Sequence, residues 1–502
     1  MSWLEKIKAK LKLSDTDRIK VIWSVVSAVY WVIFLWGFWS NGPLVFGANA
    51  FVYLMLTGGM FVWSMKHNGL EPTKNWWWLA PLTLIALSFF IYDNPFLKMI
   101  SFLLLPVLTA LFYNYAFVAD RRTFWGMRFV GTVIYRTLSI LANIMPAARL
   151  MQRIFNTSER EQGIIKRVLI GVLLFVVISL TLVIPLLSSA DTEFASRMEF
   201  VTEWFQEIIS TSFFTKLLVV VLFATLTLAA LLSWAQKFDV ASSAKDEQQI
   251  DSIVSGVVLG GILTVYLLFL WLQLKNLWIG QLPFEFGDVV MLVKSGFWQL
   301  LALSVLNVLI YFFTYRKTAL AVQRILLAFS VASLLLLASA GYRMALYVTD
   351  FGFSYEKLFA SYTVLFCAIL FVWLISRLLV PHRSDIVKFL AVLFLWMYAL
   401  LTVLPVEEFI LRTNVALAGR ENSRIRLFEL TMLSPDVLAT VVRYQSEGRL
   451  VEVNPVYFDT SRLSEDDLFE LQHPDWQPWI DQQQKKITDK KWYERTLTDW
   501  RN

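Results

Sequence analysis

The sequence predicts an all-α protein: a polytopic bundle of about eleven membrane-spanning helices followed by a small helical domain outside the membrane. Three observations predict it. The 502 residues are 57% hydrophobic and only 17% charged, with mean hydropathy +0.58, where soluble domains carry about 25% charged residues. Eleven apolar stretches, each near the length of about 20 residues that a bilayer core requires, lie between residues 21 and 404. After Pro405 the composition changes, and the remaining residues hold 13 Lys and Arg against 17 Asp and Glu.

Residues 1–20 predict a cytoplasmic interfacial helix. Trp3, Leu4, Ile7 and Leu11 recur at helical spacing, with Lys6, Lys8, Lys10 and Lys12 among them. Ser14 and Asp17 resemble a capping box leading into the first span. That span outlasts a signal-peptide apolar region, so it is read as uncleaved. A first group of four spans (residues 21–118) covers 21–39, 44–64, 76–92 and 96–118. A second group of seven (168–404) covers 168–187, 216–235, 252–272, 297–315, 321–341, 358–376 and 387–404. Trp76, Trp77, Trp78 and Tyr92 bracket the short third span as interface anchors.

Between the groups lies a basic region, 119–167. Its arginines 121, 128, 136, 149 and 153 fall within about 140° of one helical face at 3.6 residues per turn. An arginine at the bilayer centre costs about 3 kcal/mol. The segment therefore predicts a helix on the inner surface, kinked at Pro146. Arg121, Arg128, Arg136, Arg149 and Arg153 would face anionic lipid headgroups.

Charge sets the orientation. With the N-terminus inside, 25 Lys and Arg fall in inner segments and seven in outer loops, as the positive-inside rule requires. An odd number of spans then places the helical domain 405–502 outside a cell (inner, cytoplasmic) membrane. The outer loop 188–215 predicts an amphipathic helix on the outer face, with Asp191 as its N-cap. In the tail, Ser434-Pro435-Asp436 reads as an N-cap followed by proline at the first helical position. Gly448 closes that helix, and Ser464 with Asp467 opens another. Trp476, Trp479, Trp492 and Trp500 offer the tail a core or a membrane-resting surface.

Several function classes are disfavoured. The basic excess flanks the membrane and the tail is mildly acidic, so nucleic acid is not an expected partner. A single cysteine, Cys367, excludes a disulfide within the chain, and His67, His382 and His473 lie far apart. No P-loop, dinucleotide fingerprint or nucleophile elbow is present, and no cofactor is expected. Gly256, Gly260 and Gly261 suit close helix packing instead. The charges within the spans, Lys98, Lys216, Arg324 and Lys388, all lie at span ends. Asn114 and Asn307 are the deepest amides.

Short pieces in order through roughly 180–440 resemble bacterial membrane proteins of the domain-of-unknown-function 4153 and 4173 type. They are Leu186-Leu187-Ser188-Ser189-Ala190-Asp191 with Phe194, then Gln273-Leu274, then Ser295-Gly296-Phe297-Trp298-Gln299-Leu300-Leu301 with Asn307. Next come Arg343-Met344 to Tyr347 with Phe351-Gly352-Phe353-Ser354, and last Asn414 with Leu433-Ser434-Pro435-Asp436. Phe351, Phe353 and Ser354 stand where the family pattern suggests Tyr, Leu and Thr, and Lys357 where it suggests Arg. The resemblance implies a polytopic core with a C-terminal extramembrane part, and no activity.

The outer rim collects the remaining polar candidates. Asp191, Gln273, Gln299, Arg343, Tyr347 and Asp350 lie near span ends on one side, with Asn307 within its span and Asn414 and Asp436 in the tail. They form candidate ligand or docking residues for a non-enzymatic sensor, binding or scaffold protein whose tail docks on the rim. Capping, snorkelling and interfacial hydrogen bonds are the structural reading of the same residues. A transporter of a neutral or lipid-like solute is the alternative, and an enzyme of lipid substrates the third reading. The adjacent acids Glu407-Glu408 are read as solvated.

Overall fold

The structure, a computed structural model, describes residues 15–36, 45–69, 76–118, 129–155, 211–234, 251–277, 302–380, 385–420, 425–451 and 475–502, with Trp125, Gln299 and Ser423 besides. Its helices are α1 (Asp15–Tyr30, continuing as a π turn over Trp31–Leu35), α2 (Ala48–His67), α3 (Trp76–Ile91), α4 (Pro95–Phe117), α5 (Phe129–Ala142), α6 (Ile144–Phe155), α7 (Thr211–Trp234) and α8 (Ser252–Leu277). These are followed by α9 (Ala302–Thr314), α10 (Leu320–Phe351), α11 (Tyr355–Leu379), α12 (Ile386–Val403), α13 (Val406–Ala418), α14 (Leu438–Ser446), α15 (Gln477–Asp489) and α16 (Leu497–Arg501). No strand occurs among the described residues.

Among the described residues, eight helices are long and apolar enough to cross a bilayer, and Trp77–Ile91 and Ala302–Thr314 are shorter apolar helices. They belong to a multi-pass membrane protein. Its exposed apolar side chains, such as Ile253, Val257 and Leu218, meet lipid, where helices satisfy every backbone group internally. The expected span 168–187 and most of the amphipathic segment 188–215 lie outside the described residues, as do Ser14, Ser464 and Asp467.

Two compact units form, and each is described alone: residues 1–76 with 106–240, and residues 77–105 with 241–502. In the first, α7 packs on α1, α5 and α6 around Val21, Ala147, Leu228 and Ala229. The small alanines let the backbones approach closely. The basic region differs from its expectation. It forms two helices broken at Asn143, whose Nδ2 donates to Ser139 O at 2.9 Å. Pro146 sits in the first turn of α6, where its missing N–H is harmless. Arg136 does not join a headgroup-facing row: its Nε donates to Oδ1 of the buried Asn114 at 3.1 Å, because a buried amide needs partners. Arg149 and Arg153 are exposed, while Arg121 and Arg128 lie outside the described residues.

In the second unit, α8, α10, α11 and α12 pack as neighbours around Leu326, Phe329, Phe371 and Leu374. Of the three glycines in α8, only Gly256 lies against a neighbour, Val322 Cγ2 at 3.6 Å from a built Cβ; nothing lies within 4 Å of Gly260 or Gly261. Trp78 is fully buried rather than interfacial, while Trp77 meets Lys388 Nζ at 5.5 Å. The decisive element is α10. Its 32 residues span about 48 Å at 1.5 Å per residue, well beyond a hydrocarbon core of about 30 Å. The helix therefore continues some three turns past the expected end at residue 341 and carries Arg343, Tyr347 and Asp350 with it.

Candidate functional site

The end of α10 is built around a reversal. Gly352 adopts φ +64, and Ser354 caps α11. Lys357 Nζ donates to the carbonyls of Phe351 and Gly352, each at 2.8 Å, and stands 4.6 Å from the Tyr347 ring centroid. A cation at a helix C-terminus meets orphan carbonyls and the negative end of the dipole. On the tail side, Asn414 of α13 clasps the turn. Its Oδ1 accepts from Phe353 N at 2.6 Å and its Nδ2 donates to Phe353 O at 2.8 Å. A Cβ on Gly352 would come within 2.6 Å of Asn414 Oδ1, so the close approach itself demands glycine.

Beside this clasp lies a buried polar network. Glu407, in the first turn of α13, is 3% exposed. Tyr355 Oη donates to its Oε1, while Ser434 N donates to Oε2 at 3.0 Å and Ser434 Oγ donates to the same oxygen. Asn94 Nδ2 donates to Tyr355 Oη at 3.0 Å. Ser434 caps the turn that begins with Pro435, accepting from Asp436 N at 3.3 Å. That capped turn aims Asp436 at the α3–α4 connection. Its carboxylate accepts from Asp93 N at 2.7 and 2.9 Å and from Thr498 Oγ1 at 2.5 Å.

Asp93 in turn receives Lys98 Nζ at 2.7 Å and Lys490 Nζ at 2.5 Å. Lys490 also reaches the fully buried Asp499 at 2.8 Å, and Asp499 closes a capping box with Thr496. Asn502 Nδ2 donates to Pro435 O at 2.7 Å. The apolar packing runs through the same contacts. Leu97 and Leu401 share one core with Ile410, Leu411, Leu427, Val441, Trp476 and Trp479, against which Phe353, Leu358 and Tyr362 pack. Of the tail's tryptophans, Trp476 and Trp479 are thus buried, whereas Trp492 and Trp500 are exposed.

The electrostatics are divided. Burial pushes the Glu407 carboxyl well above the usual carboxylate range, with the Asp436 charge adding to the effect and hydrogen bonds from Ser434 and Tyr355 opposing it. Burial likewise raises Asp436, against hydrogen bonds from Thr498 and Asp93 N. For Asp93 burial acts upward too, but Lys98 and Lys490 outweigh it and hold the group below its ordinary value. A cavity of about 250 Å³ opens beside these groups. Tyr92, Glu407, Glu408, Asp436, Thr440 and Arg501 are among its polar lining residues, and Leu97, Leu404 and Leu497 are among the apolar ones.

The sequence-predicted residues separate accordingly. Asn414 and Asp436 sit in the contacts between tail and rim. Tyr347 joins through Lys357. Arg343 and Asp350 share α10 but stand two turns apart, about 10 Å along the axis, and form no ion pair with each other. Asn307 is not on the rim: it accepts from Tyr266 Oη at 2.7 Å and donates to Ser333 Oγ at 2.9 Å between α8, α9 and α10, a satisfied network in the bundle. Gln299 is exposed, Gln273 lies on α8, and Asp191 is outside the described residues.

Sequence reasoning missed Asp93, Asn94, Tyr355, Lys490 and Asp499, and it misread Glu407 as solvated. A signal for Glu407 was available. Glu407, Leu411, Asn414 and Ala418 follow i, i+4, i+7, i+11 spacing on the buried face of α13, while Glu408 pairs outward with Arg412. No cluster of His, Cys, Asp or Glu suited to a metal occurs among the described residues.

A family described as "Domain of unknown function (DUF4153)" matches residues 79–444, well over half the chain. The chain belongs to this DUF4153 family. The match ends within α14, so the DUF4153 segment includes Asp93, Tyr355, Glu407 and Asp436 but not Lys490 or Asp499. No curated protein and no solved structure matches the chain.

Proposed function

We propose that this DUF4153 protein is a non-enzymatic sensor or binding protein of the cell membrane. In this reading the N-terminus lies in the cytoplasm, and the tail from Pro405 is an extracytoplasmic module docked on the rim of its own bundle. The observation that carries the reading is the cavity of about 250 Å³ bounded by both the α3–α4 connection and the tail. A small molecule entering it would meet carboxylates, a phenol, two hydroxyls, two amides and one guanidinium beside apolar walls, the mixed lining of a binding site. Ligand and tail would then share Glu407, Asp436 and Leu497, so binding alters how firmly the tail is held.

Binding is favoured over catalysis because the buried acids are already partnered. Glu407 and Asp436 accept hydrogen bonds from Ser434, Tyr355, Thr498 and the Asp93 backbone, which leaves neither as a free general base. The orientation rests on the excess of Lys and Arg in the segments assigned to the inner side.

Limited proteolysis of sealed vesicles tests both statements. A protease added to right-side-out vesicles should reach the tail, and Asp436→Ala or Lys490→Ala should raise its cleavage rate about tenfold. Arg343→Ala, which removes no hydrogen bond or ion pair among the described residues, should leave the rate unchanged. Cleavage confined to inverted vesicles would overturn the orientation, and equal rates in all variants would overturn the docking.

A further inference from the structure

The opposite end of the second unit carries an unsatisfied cation. Arg377, in the last turn of α11, is 8% exposed. Its guanidinium carbon lies 4.6 Å from the Tyr315 ring centroid and 5.3 Å from that of Trp373, and Trp373 stacks on Phe389 at 4.0 Å. The neighbouring phenols stitch α9 to the end of α11: Tyr311 Oη donates to Leu374 O at 3.0 Å, and Tyr315 Oη to Arg377 O at 3.3 Å. Yet Arg377 Nε and Nη1 are buried without an acceptor among the described residues. Cation–π contact and the helix dipole both favour the charge, but neither supplies an oxygen to these N–H groups. A buried donor left unmade is strongly unfavourable, and a charged one more so.

The surroundings specify what is missing. The Arg316 guanidinium stands 5.2 Å from the centroid of the same Tyr315 ring, so two cations share one aromatic ring. Residues 316–324 and 377–388 hold three Lys or Arg each. A guanidinium offers parallel N–H donors that match the oxygens of a phosphate. Exposed apolar side chains lead toward this end of α11: Leu365, Val372, Leu379 and Val380. We propose that Arg377, backed by Tyr315 and Trp373 and accompanied by Arg316, binds a phosphate-type oxyanion at this end of the bundle. Two sources share that chemistry, the headgroup of an anionic phospholipid and free phosphate.

The experiment uses the full chain purified in a neutral detergent and read by native mass spectrometry and by its melting temperature. One arm adds phosphatidylglycerol, one adds phosphatidylethanolamine of the same chains, and one adds inorganic phosphate. Retention of phosphatidylglycerol over phosphatidylethanolamine, weakened about tenfold in Arg377→Gln, establishes the site with a lipid headgroup as its ligand. A rise in melting temperature with inorganic phosphate alone, lost in Arg377→Gln, establishes it with a soluble oxyanion. If Arg377→Gln does not fold, Arg377→Lys, which keeps the charge without the fork, should bind about threefold more weakly. The proposal is overturned if the unaltered protein responds to neither anion, or if the folded variant binds as well as the unaltered protein.

Discussion

At the scale of single residues, the firmest dependence is between Gly352 and Asn414. The turn needs positive φ at Gly352, and the clasp needs the space a Cβ would fill. Gly352→Ala should therefore destabilise the second unit by about 1–3 kcal/mol, measured as a lower melting temperature in detergent. Asn414→Ala removes both partners of Phe353 and should cost a similar amount, since each unmade buried backbone group costs about 1–3 kcal/mol. Because the two residues serve one clasp, the double variant should lose less than the sum of the single losses. Strict additivity would show that the contact is not shared. The sequence already held Asn414 as a candidate, along with Asp436, whereas Gly352 stood only in the segment that carries the family resemblance. It could not hold Asp93 or Lys490, because their partners lie 343 and 397 positions away and nothing local marks a side chain as half of a distant pair.

At the scale of elements, the spans were legible because apolar length is a property of each segment alone. Ten of the eleven expected spans fall on apolar helices among the described residues, although α10 runs ten residues past its expected end. Where α10 ends was not legible. Polar residues from Tyr342 onward suggest an exit from lipid, yet the chain remains helical to Phe351. What ends it is tertiary: the Gly352 turn, the Ser354 cap and the Lys357 ammonium on its last carbonyls. Lys357→Met should leave the span intact and fray only the projecting turns. Hydrogen exchange at Val348–Phe351 should quicken about fivefold to tenfold, consistent with about 1 kcal/mol for a cation at a helix C-terminus. Unchanged exchange would mean that the Ser354 cap and the Asn414 clasp suffice to hold the end.

At the scale of the whole molecule, the network makes attachment of the tail depend on pH, and the sign follows from the direction of each shift. Glu407 and Asp436 have raised affinity for protons when the tail is docked. Once the tail is released, water returns both to the ordinary carboxylate range. The docked form therefore binds more protons between that range and the raised values, and linkage makes docking weaken as pH rises through that window. Asp93 acts in the other direction. Its affinity for protons is lowered by Lys98 and Lys490, so its contribution is present above the ordinary carboxylate range and is lost as pH falls below it. The two effects together place the strongest attachment in mildly acid solution. Cleavage of the tail, or exchange of its backbone amides around Val437–Val441, should be slower at about pH 5 than at about pH 8, and faster again near about pH 3. Glu407→Gln keeps the shape, removes the ionisation and should flatten the rise between the first two values while leaving the acid limb in place. A tail equally protected at the first two values in the unaltered protein would mean that Glu407 and Asp436 titrate alike in the docked and released forms. The burial of those carboxylates would then not be what couples the tail to its membrane core.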